Sequence, residues 1–334
     1  MCPKAFQKLI LLSLIIFLAA PHSFADITAP FYFSNSNPFV KIYGLPSAES
    51  AQLIPKSKLK LGLQLEASSN FSFDNYLSRQ PSKETIVIDG ETHRNNVQIR
   101  YGYSDALEIG LDVSYLRHKA GGLDNFITDW HRFFGLPNGG RENFPENGLQ
   151  YSYHNNDETF VLEEPARGLG DVTMKIAYSL YETPTQEIAL RAGVKLPTGN
   201  AAKLLGSKSS DFYLGVNISE WESSAFRWHA SAGILRLGEG EVLNRQRKDW
   251  VVYGSSTVVW LFNNNIALKA QIDAHSTFYD SATKELGGEA AQLLLGGAIR
   301  FNKNTVLDLS VSEDIVVDTS PDVVFQMAIT FKNW

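Results

Sequence analysis

The sequence predicts an all-β fold, a closed antiparallel transmembrane β-barrel of about 12 strands with one short helix in a long outward loop. Three observations lead there. Apolar and polar residues alternate with period two on both sides of tight turns, the connections between these runs alternate short and long, and aromatic residues gather at the two strand ends. The pattern is plainest in 97–115. Val97, Ile99, Tyr101 and Tyr103 alternate with Gln98, Arg100 and Gly102. Ser104-Asp105 turns the chain, and Leu107, Ile109, Leu111, Val113 and Tyr115 alternate with Glu108, Gly110, Asp112 and Ser114. That is a tight hairpin with one greasy and one polar face. A soluble sandwich would bury the greasy face. A transmembrane barrel turns it to lipid and lines its lumen with the polar one.

Taken in order, residues 1–25 read as a secretory signal. Lys4 and Lys8 supply the charged start, Leu9 to Ala20 the apolar stretch, and Ser23-Phe24-Ala25 a small-residue cleavage site. The apolar stretch is shorter than the ~20 residues a membrane-spanning helix needs. The only cysteine, Cys2, falls inside this signal, so a disulfide framework and thiol chemistry are excluded from the mature chain. Residues 26–56, with four prolines, read as an irregular periplasmic leader able to tuck into the lumen mouth, and 57–334 as the barrel.

The barrel runs follow. Leu59, Leu61, Leu63, Leu65 and Ala67 alternate with Lys60, Gly62, Gln64 and Glu66; then comes 84–103, the first arm of the hairpin above, and its second arm to Tyr115. After the insertion 116–169, Val172, Met174, Ile176, Tyr178 and Leu180 resume the pattern, followed by Ile188, Leu190, Ala192, Val194 and Leu196. Further runs are 209–220, 224–237, 249–262, 265–279, 289–302, 304–316 and 321–332, an even total as bacterial barrels have. Ser104-Asp105, 183–185, Glu222-Ser223, Asn263-Asn264 and Lys303 are short links; 74–83, 116–169, 197–208, 238–248, 280–288 and the brief 317–320 fall between them. Tight periplasmic turns and longer outward loops alternate in this way. Tyr101, Tyr103, Tyr178, Tyr181, Trp221, Trp228, Trp260, Phe262, Phe301 and Phe331 lie near the short links. Phe71, Phe73, Tyr115, Phe212, Tyr213, Trp250, Tyr253, Phe278 and Tyr279 lie near the long ones. Two such bands suit two lipid–water boundaries. Phe331 ends the last alternating run in phase, and Trp334 stands beyond it out of phase.

Several segments carry a resemblance: Asn37-Pro38-Phe39 with Ile42-Tyr43-Gly44-Leu45-Pro46, RYGYSDALEIG over 100–110, LDNFITDWHRFFGLPNGGR over 123–141, and GLGD over 168–171. LPTGN at 196–200 and GSKSSDF at 206–212 recur more broadly in small uptake-type barrels. On these the chain resembles the Gram-negative outer-membrane proteins grouped as domain-of-unknown-function family 3187. The resemblance implies an outer-membrane barrel and carries no activity with it.

The insertion holds the one helical signal. Leu123, Phe126, Ile127, Trp130, Phe133 and Phe134 share one helix face, with Gly122 or Asp124 to start it and Gly135 and Pro137 to stop it. That face must be buried, over the lumen as a lid, on the outer leaflet, or against the loop's own hairpin, 148–154 with 158–163. Asp124, Trp130, His131, Phe134 and Arg141 are the lid or ligand candidates. The inward, lumen-lining candidates are Arg100, Glu108, Asp112, Lys175, Arg191, Lys195, Arg227, Lys269 and Arg300, of both signs, with Lys175, Arg191 and Lys195 a hint of anion preference. Arg or Lys facing lipid at midplane would cost ~2–4 kcal/mol, which supports placing them inward. His229 and Ser231 stand at the i, i+2 spacing of a strand-borne hydrolase pair, but the alternation turns them inward, away from lipid. His154, Asp157 and Glu158 cluster like metal ligands, though polar neighbours on a loop hairpin are ordinarily just solvated.

The formal charge of −6 argues against nucleic acid as a partner. No cofactor is expected. The leading expectation is a passive selective channel for small molecules in the outer membrane of a Gram-negative bacterium. A structural or receptor barrel without transport is the alternative, and a lipid-modifying enzyme the third reading. Expected partners are outer-membrane lipid and lipopolysaccharide, periplasmic chaperones, the barrel-assembly machinery and a small-molecule cargo.

Overall fold

The computed structural model describes residues 27–74, 84–135, 140–223, 225–316 and 318–333; the expected signal, 1–25, lies outside them. Among the described residues fifteen strands form one antiparallel sheet. Twelve of them close the wall. In chain order these are β1 (Leu59–Asp74), β2 (Glu84–Ser104), β3 (Leu107–Lys119), β7 (Val172–Glu182), β8 (Gln186–Leu196), β9 (Asp211–Trp221), β10 (Phe226–Arg236), β11 (Trp250–Asn263), β12 (Ile266–His275), β13 (Ala290–Asn302), β14 (Thr305–Asp314) and β15 (Val323–Lys332). The seam is β1 against β15, from Lys60 opposite Lys332 to Ser69 opposite Val323. Three further strands belong to the insertion. β4 (Gln150–Asn155) prolongs the sheet beside the Glu84–Asp89 end of β2, β5 (Thr159–Leu162) pairs with β4, and β6 (Ala166–Leu169) pairs with the end of β3.

The alternation does what period two requires. Leu61, Leu63, Val97, Ile109, Met174, Ile176, Leu214, Val258, Leu268, Leu309 and Met327 are all exposed on the outer face. The alternate positions Gln64, Glu66, Asn96, Gln98, Arg100, Asp112, Lys175 and Arg191 are buried inside. A large apolar exterior around a charged interior is stable only in hydrocarbon. On β3 the outward apolar set runs from Leu107 to Tyr115, about 27 Å along the strand and about 21 Å of depth at a ~40° tilt, close to the ~25 Å of an apolar belt. Arg117, exposed, follows at once.

At the short-turn end Tyr101, Tyr103, Tyr178, Tyr181, Trp260, Phe262, Phe301 and Phe331 are exposed as expected, whereas Trp228 is half-buried and Trp221 falls on the inward face of β9 beneath the Arg227 guanidinium. At the long-loop end the expectation needs correcting. Tyr115, Phe212 and Trp250 do face outward, whereas Tyr213, Phe278 and Tyr279 are buried in a core. The reason is what fills the lumen. Residues 27–58, expected as a leader at the mouth, enter at the short-turn end, climb the interior to the long-loop end, turn, and descend again. A barrel of ~8 strands is filled by its own side chains; twelve leave a wider bore. Here the chain's own N-terminal hairpin occupies it.

Candidate functional site

The plug, 27–58, has one regular turn, the short helix α1 (Pro38–Lys41) at its tip, where the Asn37 side chain accepts from Phe39 N and proline stands in the first turn. The rest is extended and irregular, so its backbone groups need partners from elsewhere. The inward side chains of the wall supply them. On the ascending arm His229 Nε2 donates to Thr28 O at 2.7 Å, Lys269 Nζ to Ala29 O at 2.6 Å, Gln271 Nε2 to Phe31 O at 3.1 Å and Gln326 Nε2 to Tyr32 O at 3.0 Å. On the descending arm Lys195 Nζ donates to Ile42 O at 3.1 Å, Asn217 to Glu49 O at 2.6 Å and Arg191 to Ser50 O at 2.7 Å. Gly44 N donates to Asp211, Ala51 N to Ser219 Oγ and Ile54 N to Glu108, each at 2.9 Å. The plug leaves against Gly102, where any Cβ would strike the Pro55 carbonyl oxygen.

Midway, both arms meet one cluster of charge. Glu49, the one acidic residue between Ile27 and Lys58, lies 3.2 Å from Arg100 Nε, 3.0 Å from Lys175 Nζ and 3.6 Å from Arg191 Nη1. Asp112 holds Arg100 at 2.7 Å and Lys175 at 3.0 Å, and Glu108 holds Arg191 at 3.1 Å. From the other arm the Tyr32 hydroxyl reaches Asp112, Arg100 and Lys175. All are buried, and removing one partner from a buried pair costs about 3–5 kcal/mol because the other charge is stranded. The descending arm is therefore tied down wherever no other anion stands in for Glu49.

Of the lumen-lining candidates, Arg100, Glu108, Asp112, Lys175 and Arg191 thus come together. Lys195 sits higher, between Asp171 at 2.5 Å and Asp211 at 3.2 Å, so it is apart from the cluster it was grouped with. Arg227 bonds Thr28 Oγ1 and stacks on Trp221; Lys269 pairs with Asp308 at 2.5 Å. Arg300 keeps the inward phase of its strand with Leu294 and Ala298, but bonds Asn264 O at the β11–β12 turn, at the short-turn rim and apart from the central cluster. Glu49 and Tyr32 went unnamed in the sequence reading. The signal available was a lone carboxylate in an otherwise acid-free leader, entering a barrel with cations at inward positions.

Below the ring a cavity of about 670 Å³ lies between plug and wall. Glu49, Lys60, Glu108, Glu187 and Arg191 line it, and it reaches the short-turn end at Asp105, Thr183 and Pro184. At the other end the lumen is sealed by apolar contact. Phe39, Val40, Ile42 and Tyr43 of the plug tip pack with Tyr151, Tyr153, Leu235, Leu243, Phe278 and Tyr279. Phe160 of β5 meets Phe39 edge-on at 5.7 Å, and Tyr279 Oη donates to Phe39 O at 2.7 Å. Burial, with the Tyr43 hydroxyl alongside, pushes the Tyr279 phenol well up, keeping that donor protonated.

The loop helix α2 (Asp124–Phe134) forms where its apolar face predicted and stops at Gly135, whose φ of +70° is the left-handed stop. It is not a lid over the lumen. Glu91 and Phe325 lie on the same faces of β2 and β15 as the lipid-exposed Val97 and Met327. Glu91 accepts from Gly122 N and, at 2.6 Å, from Leu123 N, and Phe126 meets Phe325 at 5.8 Å. The helix therefore rests on the outer wall. Asp124 and Arg141 pair at 2.7 Å, Arg141 also reaches Asp322 and lies over the Phe71 ring, and these contacts fasten the loop to the rim. The side chains of Trp130, His131 and Phe134 lie outside the described residues.

The hydrolase pair is not assembled. Thr28 O can only accept, so His229 Nε2 carries a proton, and Nδ1 lies 2.8 Å from Ser219 Oγ, while Ser231 bonds Ser255 at 2.7 Å. His154 bonds Thr159, Glu158 accepts from Asn244 N and Arg245 N, and Asp157 pairs with Arg245. Among the described residues no group of three or more His, Cys, Asp or Glu could hold a metal.

A closed twelve-stranded barrel with an apolar belt has the fold of the outer-membrane channels. The chain belongs to the family described as "Protein of unknown function (DUF3187)", whose model matches residues 7–333. Among solved structures it is similar to the COG4313 outer membrane channel from Pseudomonas putida F1, with 10% identity over 84% of this chain and 97% of that one and a TM-score of 0.55. The NanC porin matches at 7% identity over 82% and 98%, TM-score 0.46, and the Ralstonia pickettii toluene transporter TbuX at 10% over 85% and 90%, TM-score 0.39. At such identities the likeness is one of fold. No curated protein matches the sequence.

Proposed function

We propose that this protein is a passive, selective channel for small molecules in the outer membrane of a Gram-negative bacterium, closed at rest by its own N-terminal segment. One observation carries the reading: the descending arm is held by ion pairs and by side-chain bonds to its backbone, beside a cavity of about 670 Å³. Hydrogen bonds of this kind are exchanged for bonds to water at small net cost, and the ion pairs of Glu49 for pairs with another anion. The secretory signal read in 1–25 and the lipid-facing belt agree with that location.

Two serines supply the test. Ser50 on the plug and Ser219 on β9 have their hydroxyls 3.1 Å apart. The double variant Ser50→Cys/Ser219→Cys forms a disulfide that fixes the arm to the wall. In planar bilayers oxidation abolishes its conductance and dithiothreitol restores it, with neither single variant responding. Conductance indifferent to oxidation, or absent in both states and in the wild type, contradicts the reading. The apolar seal at the long-loop end favours a second one, a structural or receptor barrel without transport, and silence in every state would support that instead. The enzyme reading lacks its His229–Ser231 contact.

A further inference from the structure

We propose that the ring of cations around Glu49 is the binding site for the carboxylate of a small anionic solute, with Glu49 as the built-in competitor that occupies it when the channel is shut. The proposal rests on the channel reading and names the class of solute.

The charges on the wall are unequal without the plug. Arg100, Lys175, Arg191 and Lys60 stand around the Glu49 carboxylate, and the carboxylates that the wall itself brings to them are Glu108 and Asp112. Withdrawing Glu49 therefore leaves cations in excess at this ring, the arrangement that holds an anion there and repels a cation. The plug does not use all that the ring offers. Lys60 Nζ makes no hydrogen bond among the described residues and lines the cavity, and Arg191 Nε is buried without a hydrogen-bond partner. A buried donor left unmet is costly, and a larger carboxylate-bearing ligand would meet it.

The neighbourhood favours arrival from the cavity. Glu49, Lys60 and Arg191 share its lining, so a solute there lies beside the group it displaces. Of the other carboxylates on that lining, Asp308 is already bound by Lys269 and Glu108 by Arg191, while Asp105, Glu182 and Glu187 stand towards the short-turn end, so the cation excess is local to the ring. A monoanion matches the leaving Glu49 in charge and in geometry. A neutral solute would leave the ring unpaired, and an amine would add to the excess.

The test uses the full chain in liposomes and three solutes of one size: gluconate, glucose and glucosamine. Swelling rates rank gluconate above glucose above glucosamine, with about five-fold between the first and last. Glu49→Gln, which removes the competitor and keeps the shape, raises that ratio about three-fold further. Lys60→Gln, which breaks no bond the plug makes, lowers it towards unity. Migration on unheated gels checks that each variant is a folded barrel, and Lys60→Gln serves alone if Glu49→Gln does not fold. Equal entry of the three solutes, or a ratio that Lys60→Gln leaves unchanged, overturns this proposal and spares the channel. No entry by any solute in any variant overturns both.

Discussion

The two ends of the plug are held by different physics. At the tip, Phe39, Ile42 and Tyr43 are packed into a core with β4, β5 and the loops after β10 and β12. On the descending arm, Glu49 is held by charge and the backbone by side-chain hydrogen bonds. Apolar burial has no substitute when lost, since each ring withdrawn leaves a hole or wet hydrocarbon. Ion pairs have one, since another anion can take the vacated place. The contrast assigns opposite duties to the two regions: the tip is an anchor and the arm is the part that yields.

The largest effect is expected at the anchor. Phe39→Ala removes a fully buried ring, about 3–5 kcal/mol of local stability, and amide exchange over residues 36–44 quickens while the wall strands keep their protection. A smaller effect separates a neighbouring loop by pH. Glu285, in the short helix α3 (Lys284–Gly287), is buried with Oε2 lacking a hydrogen-bond partner, and burial, helped by Asp74 and Asp318, pushes its carboxyl up from 4.5 to about 7. The fold favours the protonated acid, so its contribution is whole below pH 4.5, declines as pH rises to about 7, and is constant above. Amide protection across 281–288 should follow that curve, and Glu285→Gln should flatten it. The smallest effect is on the outer wall. Phe126→Ala gives up the contact with Phe325, worth ~1 kcal/mol, and raises tryptic cleavage at the exposed Arg132 about five-fold. Bilayer conductance should not change, because this helix sits outside the lumen; a change would restore the lid.

Most of the wall was legible in the residues. The run from Ile188 to Leu196 appears within β8, the tight turn at Ser104-Asp105 joins β2 to β3, and the hairpin read at 148–154 with 158–163 is β4–β5. Local periodicity suffices there, because one face meets a different solvent from the other. The plug was illegible for the opposite reason. Residues 27–58 carry no period, and what fixes Glu49 is Arg100, Lys175 and Arg191, brought close only by barrel closure. An inward arginine looks the same in sequence whether it faces water or its own chain. The helix α2 was visible as a helix, yet its seat was not: an apolar stripe calls for burial without saying which surface provides it. β6 passed unnoticed because four residues are too few to show alternation.

The place where the plug joins the wall has a consequence for how the molecule is made. Lys58 leads straight into β1, and β1 is one side of the seam that shuts the cylinder. Were the cylinder shut first, Phe39 and Tyr43 would have to be dragged past Arg100, Lys175 and Arg191 to reach their aromatic pocket. Laying the hairpin down while the sheet is still an open trough avoids that passage. The connectivity thus favours one order of assembly, in which the contents go in before the container is closed around them.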